Sequence, residues 1–555
     1  MDNNKVWQKF RKYFFQDEDL GLQLDISEVN FSDDYIERME LRLKNAYAKM
    51  KELEAGAIAN PDENRMVGHY WLRAPELAPS AALTAEIQDT LSNIKEFVER
   101  IHRGAIRSER GTLFRKVLVI GIGGSSLGPR FVSEALRSPA DKMELFFIDN
   151  TDPDGMDRVF ECLREDLADT LTVVISKSGK TVETRNAMEE TRHFYAKQGL
   201  DFSKHALSIT QRGSMLDRLS VDQNWLGRFP MWDWVGGRTS VLSAVGLVPL
   251  GLQGVDIDLL LEGARRCDRL TRSEHTLKNP AALLALMWYK ITDGQGGKQM
   301  VILPYKDRLE LLTKYLQQLI MESLGKEKNL SGQIVNQGIA VFGNKGTTDQ
   351  HSYLQQLLDG PANFFVTFIE VLKDRQQLSP VIAEESTSGD YLQAFLLGTR
   401  KALAAKQRES ITITLTEVNE RTIGALLALF ERAVGIYANL ININPYHQPA
   451  VELGKKGAEA VIRLKNEVVN LLRANPDREY RLEEIAESLA FSSNIKEDEK
   501  NIADGPLDLV ILFKILQHLC HNPENRIIFR KTESVSAEYE ENEISAYIYQ
   551  YRKSK

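Results

Sequence analysis

The 555-residue sequence predicts an α/β protein: two tandem doubly wound parallel-sheet domains, a helical N-terminal region and a small α+β C-terminal appendage. Three observations carry this. Short, continuously apolar runs alternate with helical patterns from about residue 116. A second set of such runs begins near residue 299. After about residue 456 the texture becomes charged and mostly helical.

Over the first 110 residues the pattern is helical, with Ile87, Leu91, Ile94 and Val98 at three- and four-residue spacing forming one apolar face. "KVLVIGIGG" (116–124), "LFFID" (145–149) and "LTVVIS" (171–176) then read as buried strands, because a parallel sheet is covered on both faces and its strands lose the alternation of half-exposed ones. "QMVILPY" (299–305), "FFVTFIEVL" (364–372) and "SITITLTEV" (410–418) form the second set. The expected organisation is a helical region over 1–59, a first α/β domain over 60–250, a second over 251–456 and an appendage over 457–555. In the appendage, "RLEEIAESLA" and "LDLVILFKILQHL" read as helices and "RIIFR" as a strand, a winged-helix-like order. Residues 456–555 carry 15 Lys and Arg against 18 Asp and Glu, so this module lacks the basic face that phosphate contacts need. A packing or partner-facing appendage is expected.

Composition narrows function further. A net charge of −8 gives no general attraction to nucleic acid or to an anionic membrane, so an anionic substrate needs a local basic pocket. Cys162, Cys267 and Cys520 are far apart, which disfavours a disulfide framework or a zinc knuckle and suits a reducing compartment. No uninterrupted apolar run approaches the ~18 residues of a membrane span. The opening "MDNNKVWQKFRKYFFQDEDLG" lacks the apolar core of a signal peptide. A cytoplasmic protein is expected.

"VVISKSGKTVET" (173–184) raises the question of a nucleotide loop. The P-loop spacing requires a glycine where Val174 stands, so a triphosphate is disfavoured. What remains is a strand ending in Ser176, Lys177, Ser178 and Thr181 at the start of a helix, where free N–H groups and the helix dipole favour an anion. Simple capping accounts for one hydroxyl, not for this density of donors. "GIGGSSLGPR" (121–130) fails the dinucleotide fingerprint at Ser126, yet its glycines let backbone amides approach a ligand and Ser125 adds a hydroxyl. Both loops lie at carboxyl ends of strands, where open α/β sheets bind ligands.

Further stretches are weak singly. "WDWVGGRTSVLSAVG" (232–246) places Arg238 after two glycines, where its forked donors could reach an oxyanion. "QQLIMESLGK" (317–326) puts Glu322 on a helical pattern with Leu312, Leu316 and Ile320; Glu322 and Lys326 would also make an ordinary i,i+4 pair. "GTTDQHSYLQQLLDG" (346–360) contains His351, and "PYHQPAVELGK" (445–455) contains His447, Gln448 and Lys455.

In combination, over roughly residues 60–456, "GIGGSSLGP", "SKSGKTVET", "WVGGRTS", "MESLGK", "GTTDQHSYLQQLLDG" and "QPAVELGK" resemble the glucose-6-phosphate isomerase family in consistent order. The resemblance implies two sugar-isomerase-type domains and interconversion of glucose 6-phosphate and fructose 6-phosphate in glycolysis and gluconeogenesis. It also implies a homodimer with shared active sites, and neither a metal nor an organic cofactor. By matching position, Ser176, Lys177, Ser178 and Thr181 would hold the sugar phosphate with Gly124 and Ser125. Glu322 would be the base moving a proton between C1 and C2, and Arg238 the stabiliser of the enediolate. His351, supplied by the neighbouring subunit, and Lys455 would assist ring opening. Glu183, Gly237 and Gln448 match substrate-side positions. Ser178 and Lys180 depart from the family's commoner residues, though the hydroxyl at 178 keeps a donor. The other readings are another sugar-phosphate isomerase or a dual glucose/mannose enzyme, and a sugar-phosphate sensor without turnover; a sensor would need only the phosphate loop, not Glu322, Arg238, His351 and Lys455 together.

Overall fold

The strand Lys116–Ile120 is apolar on both faces because it lies inside a sheet with parallel neighbours on either side, Glu144–Ile148 and Thr170–Ile175. In the computed structural model, which describes residues 3–476, 478–492, 507–531 and 547–552, the chain forms two compact units, Met1–His447 and Gln448–Lys555. The first unit holds two sheets. The five-stranded one runs Glu144–Ile148, Lys116–Ile120, Thr170–Ile175, Ala206–Thr210, Gly227–Pro230, parallel throughout. In chain order this is 2-1-3-4-5, so its topological switch point lies between Lys116–Ile120 and Thr170–Ile175.

The second sheet repeats the same parallel order with Val341–Phe342, Gln299–Pro304, Phe364–Val371 and Ser410–Leu415. Its far edge is closed by Leu22–Asp25, antiparallel to Ser410–Leu415, and then by Phe15–Asp17. The all-helical reading of the N-terminal region therefore needs correcting. These strands have four and three residues, too short for a period to register in sequence, and pairing with an exposed sheet edge fixes their conformation. All six apolar runs are strands. Ala206–Thr210 and Gly227–Pro230 complete the first sheet without having been marked by such a run.

Helices cover the sheets. Ala81–His102 begins on the Ser80 cap and buries Ile87 and Ile94. Glu420–Leu440 starts on a capping box between Asn419 and Thr422 and is buried almost all round. Among the described residues it is the one helix long and apolar enough to cross a membrane. However, 94% of its apolar stretch is buried in the protein, and Glu431 and Arg432 interrupt that stretch.

The second unit packs Pro449–Ala474, Leu482–Ser492 and Leu509–His521 around Leu472, Ile485, Leu512, Leu516 and Tyr549. Its strand Ile527–Lys531 pairs antiparallel with Tyr547–Tyr551, and Tyr480 and Tyr549 exchange backbone hydrogen bonds. The appendage is thus α+β, as expected.

Candidate active site

The first sheet's switch point brings two loops together. Gly121–Ser126 leaves Lys116–Ile120, with Gly123 in the left-handed region that glycine tolerates. Gly124 has a stronger requirement: a Cβ there would stand 2.0 Å from the Gly237 carbonyl oxygen. Ser240 Oγ bridges the two segments, donating to the carbonyls of Gly237 (2.8 Å) and Gly124 (3.2 Å). The Gly124 and Gly237 backbones therefore pack directly against each other. Ser126 is buried and donates to Asp149 Oδ2 at 3.1 Å.

The second loop follows Thr170–Ile175. Ser176 is buried, its Oγ 3.3 Å from Thr181 Oγ1 and accepting from the Gly179 N–H at 3.2 Å. Ser178 Oγ accepts from the Lys180 N–H. Thr181 is the N-cap of Val182–Lys197 yet makes no capping bond with its side chain, so its hydroxyl is not committed to the helix. Glu183 lies in the first turn, half-buried. Beside Ser176, Gly179 and Thr181 opens a cavity of about 410 Å³ that also takes in Arg185 and Arg218. Lys177 turns the other way: Nζ donates to the carbonyls of Asp233 (3.1 Å) and Val235 (3.3 Å), 3.6 Å from Asp233 Oδ1. Burial holds its pKa below the usual lysine value.

Arg238 sits in a short turn, Gly237–Thr239, and is 7% exposed. One Nη donates to the Pro445 carbonyl at 2.9 Å, and the other lies 3.3 Å from Glu322 Oε2. Desolvation lowers its pKa, opposed by the Glu322 carboxylate. Glu322 ends a π-helical turn, Gln317–Glu322, that continues the helix Leu312–Leu316. The extra residue in such a turn re-aims side chains, and π-turns gather at functional sites. The ordinary i,i+4 pair with Lys326 does not form. Lys326 donates instead to the backbone carbonyls of Glu322 and Ser323, at 2.8 Å each, which leaves the Glu322 carboxylate to Arg238. Burial, with the Arg238 charge second, pushes the Lys326 pKa down to about 7.

A small chamber lies against this pair, about 60 Å³ and lined by Arg238, Lys177, Ser323, His69, Glu431 and Tyr446 among others. Both ring nitrogens of His69 and the Tyr446 hydroxyl are buried without a hydrogen-bond partner, and burial drives the His69 pKa well down, so the ring is neutral. Sequence reasoning did not single out residues 60–69, and it gave Lys326 only as an i,i+4 partner of Glu322. The one available signal was the polar cluster "NPDENR" interrupting a largely apolar stretch.

His351 lies elsewhere on the first unit, exposed in the turn Thr348–His351. That turn is organised around buried Asp349, which accepts from the Asn344 N–H at 2.7 Å and from the Tyr353 hydroxyl. Among the described residues His351 makes neither a hydrogen bond nor an ion pair with Glu322 or Arg238. Gln448 and Lys455 belong to the second unit, as the N-cap and an exposed residue of Pro449–Ala474. Also among the described residues, no group of three His, Cys, Asp or Glu is placed to hold a metal ion.

The sequence profile described as phosphoglucose isomerase matches residues 25–472. The chain belongs to the phosphoglucose isomerase family. It is 59% identical over 521 residues to the glucose-6-phosphate isomerase of Desulfitobacterium hafniense strain Y51, covering 94% of this chain and 95% of that one. It is 54% identical over 529 residues to the same-named protein of Geobacter sulfurreducens, covering 95% and 97%. The crystal structure of a glucose-6-phosphate isomerase from Chlamydia trachomatis superposes with a TM-score of 0.75 at 28% identity, over 83% of this chain and 92% of that one. In this chain the first unit brings together the two glycine- and hydroxyl-rich loops, Gly237, Arg238 and Glu322. A carboxylate facing a buried guanidinium can take a proton from carbon while the guanidinium supports the oxyanion that results.

Proposed function

We propose that this chain interconverts D-glucose 6-phosphate and D-fructose 6-phosphate through ring opening and an enediolate. It is an aldose–ketose isomerase. The observation that carries the reading is the ion pair between Arg238 and Glu322 at 3.3 Å, beside the hydroxyl-rich loop, in a chain of this family.

In our reading Ser176, Ser178 and Thr181, with Gly124, Ser125 and Lys177 through its backbone N–H, hold the phosphate, and its binding energy orients the reacting carbons. Glu322 carries the proton between C2 and C1, and Arg238 supports the enediolate oxygens. His351 and Lys455 open the ring, and Glu183, Gly237 and Gln448 face the substrate. His351 comes from a second copy in a homodimer. Support for this comes from its exposure and from the exposed Phe395 (48%), whose carbonyl accepts from the Gln350 amide in the same turn. We place the enzyme in the cytoplasm and assign residues 60–250 and 251–456 to the two sugar-isomerase domains, after a region over 1–59 that is helical apart from the strands Phe15–Asp17 and Leu22–Asp25. The 457–555 appendage serves packing or partner contact.

The test is to incubate the purified protein with fructose 6-phosphate in D2O and follow the sugar resonances by NMR. Glucose 6-phosphate should accumulate with deuterium at C2. Unchanged fructose 6-phosphate at high enzyme concentration would reject the function, and competition with mannose 6-phosphate measures how narrow the substrate range is.

A further inference from the structure

The two sheets of the first unit share one strand order, so a position in one has a counterpart in the other. In the first sheet, the loops after the first and third parallel strands form the crevice with Ser125 and Ser176. In the second sheet, the loops after Gln299–Pro304 and Phe364–Val371 occupy the same topological position. They line a separate cavity of about 510 Å³ with Lys306, Arg308, Lys373 and Arg375. Ser138 and Pro139 close one side, and Glu417–Glu420, following Ser410–Leu415, close another. Ligands of open α/β sheets bind at this position.

The lining has an uncommitted positive charge. Lys306 is half-buried, and its ammonium donates to the carbonyls of Lys373 (2.9 Å) and Asp374 (2.5 Å), which leaves a third N–H. Burial pushes its pKa down, Asp374 opposes this, and nearby Arg308 and Arg375 push in the same direction as burial. Arg308 gives one Nη to the Ala135 carbonyl at 3.1 Å and keeps the rest of its fork. Among the described residues Arg375 makes neither an ion pair nor a hydrogen bond. Two of the three carboxylates of the lining are engaged elsewhere. Glu417 is held by Lys373 and by the Asn419 amide. Glu420 lies in the first turn of Glu420–Leu440, where the helix dipole offsets it. Asp374, the third, faces Lys306, which leaves Arg308 and Arg375 as the cations it does not hold.

We propose that this cavity is a second oxyanion site, taking a small phosphorylated molecule whose phosphoryl group is held by Lys306, Arg308 and Arg375. It is distinct from the isomerase crevice and built on the other sheet. Bidentate guanidinium and ammonium donors are the groups that recognise phosphoryl oxygens.

Equilibrium dialysis of the full-length protein against labelled pyrophosphate tests this, because stoichiometry does not depend on turnover. The unsubstituted chain should bind two equivalents. Ser176→Ala with Thr181→Ala, which weakens the first cradle, should retain one saturable site. Adding Lys306→Gln and Arg375→Gln should weaken that site about tenfold or more, as expected for the loss of charge-assisted hydrogen bonds. Lys306→Gln with Arg375→Gln alone should leave kcat for isomerisation unchanged. Arg375→Gln, at an exposed position where folding is not at stake, should by itself weaken the site severalfold. No saturable site in the Ser176→Ala, Thr181→Ala protein would overturn the proposal. So would a dissociation constant that neither Arg375→Gln nor the Lys306→Gln, Arg375→Gln pair moves.

Discussion

Replacing Glu322 by Gln separates the chemistry at this site from its architecture. The carboxylate lies 3.3 Å from Arg238 Nη1, and its side chain is 23% exposed. At that distance two unit charges interact by ~5 kcal/mol at an effective dielectric of ~20. Partial exposure screens this, and the amide of Gln still accepts from the guanidinium, so the stability loss should be about 1–3 kcal/mol. The chemical loss is larger. An amide cannot take the C2 proton, and removing a positioned general base typically costs about 10²- to 10⁴-fold in rate. Deuterium exchange at C2 and C1 of the sugar phosphate, followed by NMR, should fall by that factor. Calorimetric binding of fructose 6-phosphate should persist, because the proposed phosphate loop is untouched. Glu322→Asp keeps the charge but withdraws it by one methylene, so it should fold like the unsubstituted protein and still lose most of kcat. Exchange at the unsubstituted rate in Glu322→Gln would remove Glu322 from the base role.

Ser176→Ala with Thr181→Ala should raise KM strongly with a smaller effect on kcat; unphosphorylated glucose competing as well as the phosphate ester would contradict the cradle. Lys326 binds its proton up to about pH 10.5 when unfolded but only up to about pH 7 when folded, so stability should rise with pH between these values. Lys326→Met should abolish that slope, read from urea midpoints at several pH values, and equal slopes in the two proteins would refute the assignment. His351→Ala and Glu322→Gln should each be nearly inactive alone. After subunit exchange they should recover up to about a quarter of unsubstituted activity, since about half the dimers are mixed and each has one intact site. Exchange proven by mass-tagged chains without recovery would place both residues in one subunit's site.

The fold was legible where apolar runs were long enough to register. Each of the six runs became a strand because a covered parallel sheet demands continuous hydrophobicity, as in Val117–Ile120, where every residue is fully buried. Leu22–Asp25 was not legible, because its conformation follows from the edge it pairs with, some 390 residues along the chain. The proposed phosphate loop stands out through composition alone: hydroxyls and a lysine at a strand end are abundant beyond what capping uses. Glu322 was harder. A 3.6-residue period assigns it the neighbour Lys326, but the π-turn changes the local period and turns the carboxylate to Arg238.

Charges in the interior were the least legible feature of all. Glu54, Asp268, Glu431, Arg73, Arg272 and Arg432 read singly as ordinary surface charges, four of them on helices. In the fold they form one network: Arg73 to Asp268 at 2.7 Å and to Glu431, Arg432 to Glu54 at 2.6 Å and Asp268 at 3.3 Å, Arg272 to Glu54 at 2.9 Å. Each charge is tolerable only because its partners are present. Desolvation lifts the Glu431 pKa to about 7 despite Arg73, whereas Asp268, facing Arg73 and Arg432, is held below the usual carboxylate range. Such a cluster adds little net stability over an apolar core, yet removing one member typically costs about 3–5 kcal/mol, because the others are left buried and unpaired. That asymmetry couples Tyr35–Glu54, the segment around Arg73, Ile257–Thr271 and Glu420–Leu440 into a single arrangement. Glu431 also lines the chamber against Arg238, so the network that fixes these four segments also forms one wall of the candidate site. No local pattern in the sequence encodes this, because the partners of each charge lie on other segments, from about 160 to 380 positions away for the pairs that join distant segments.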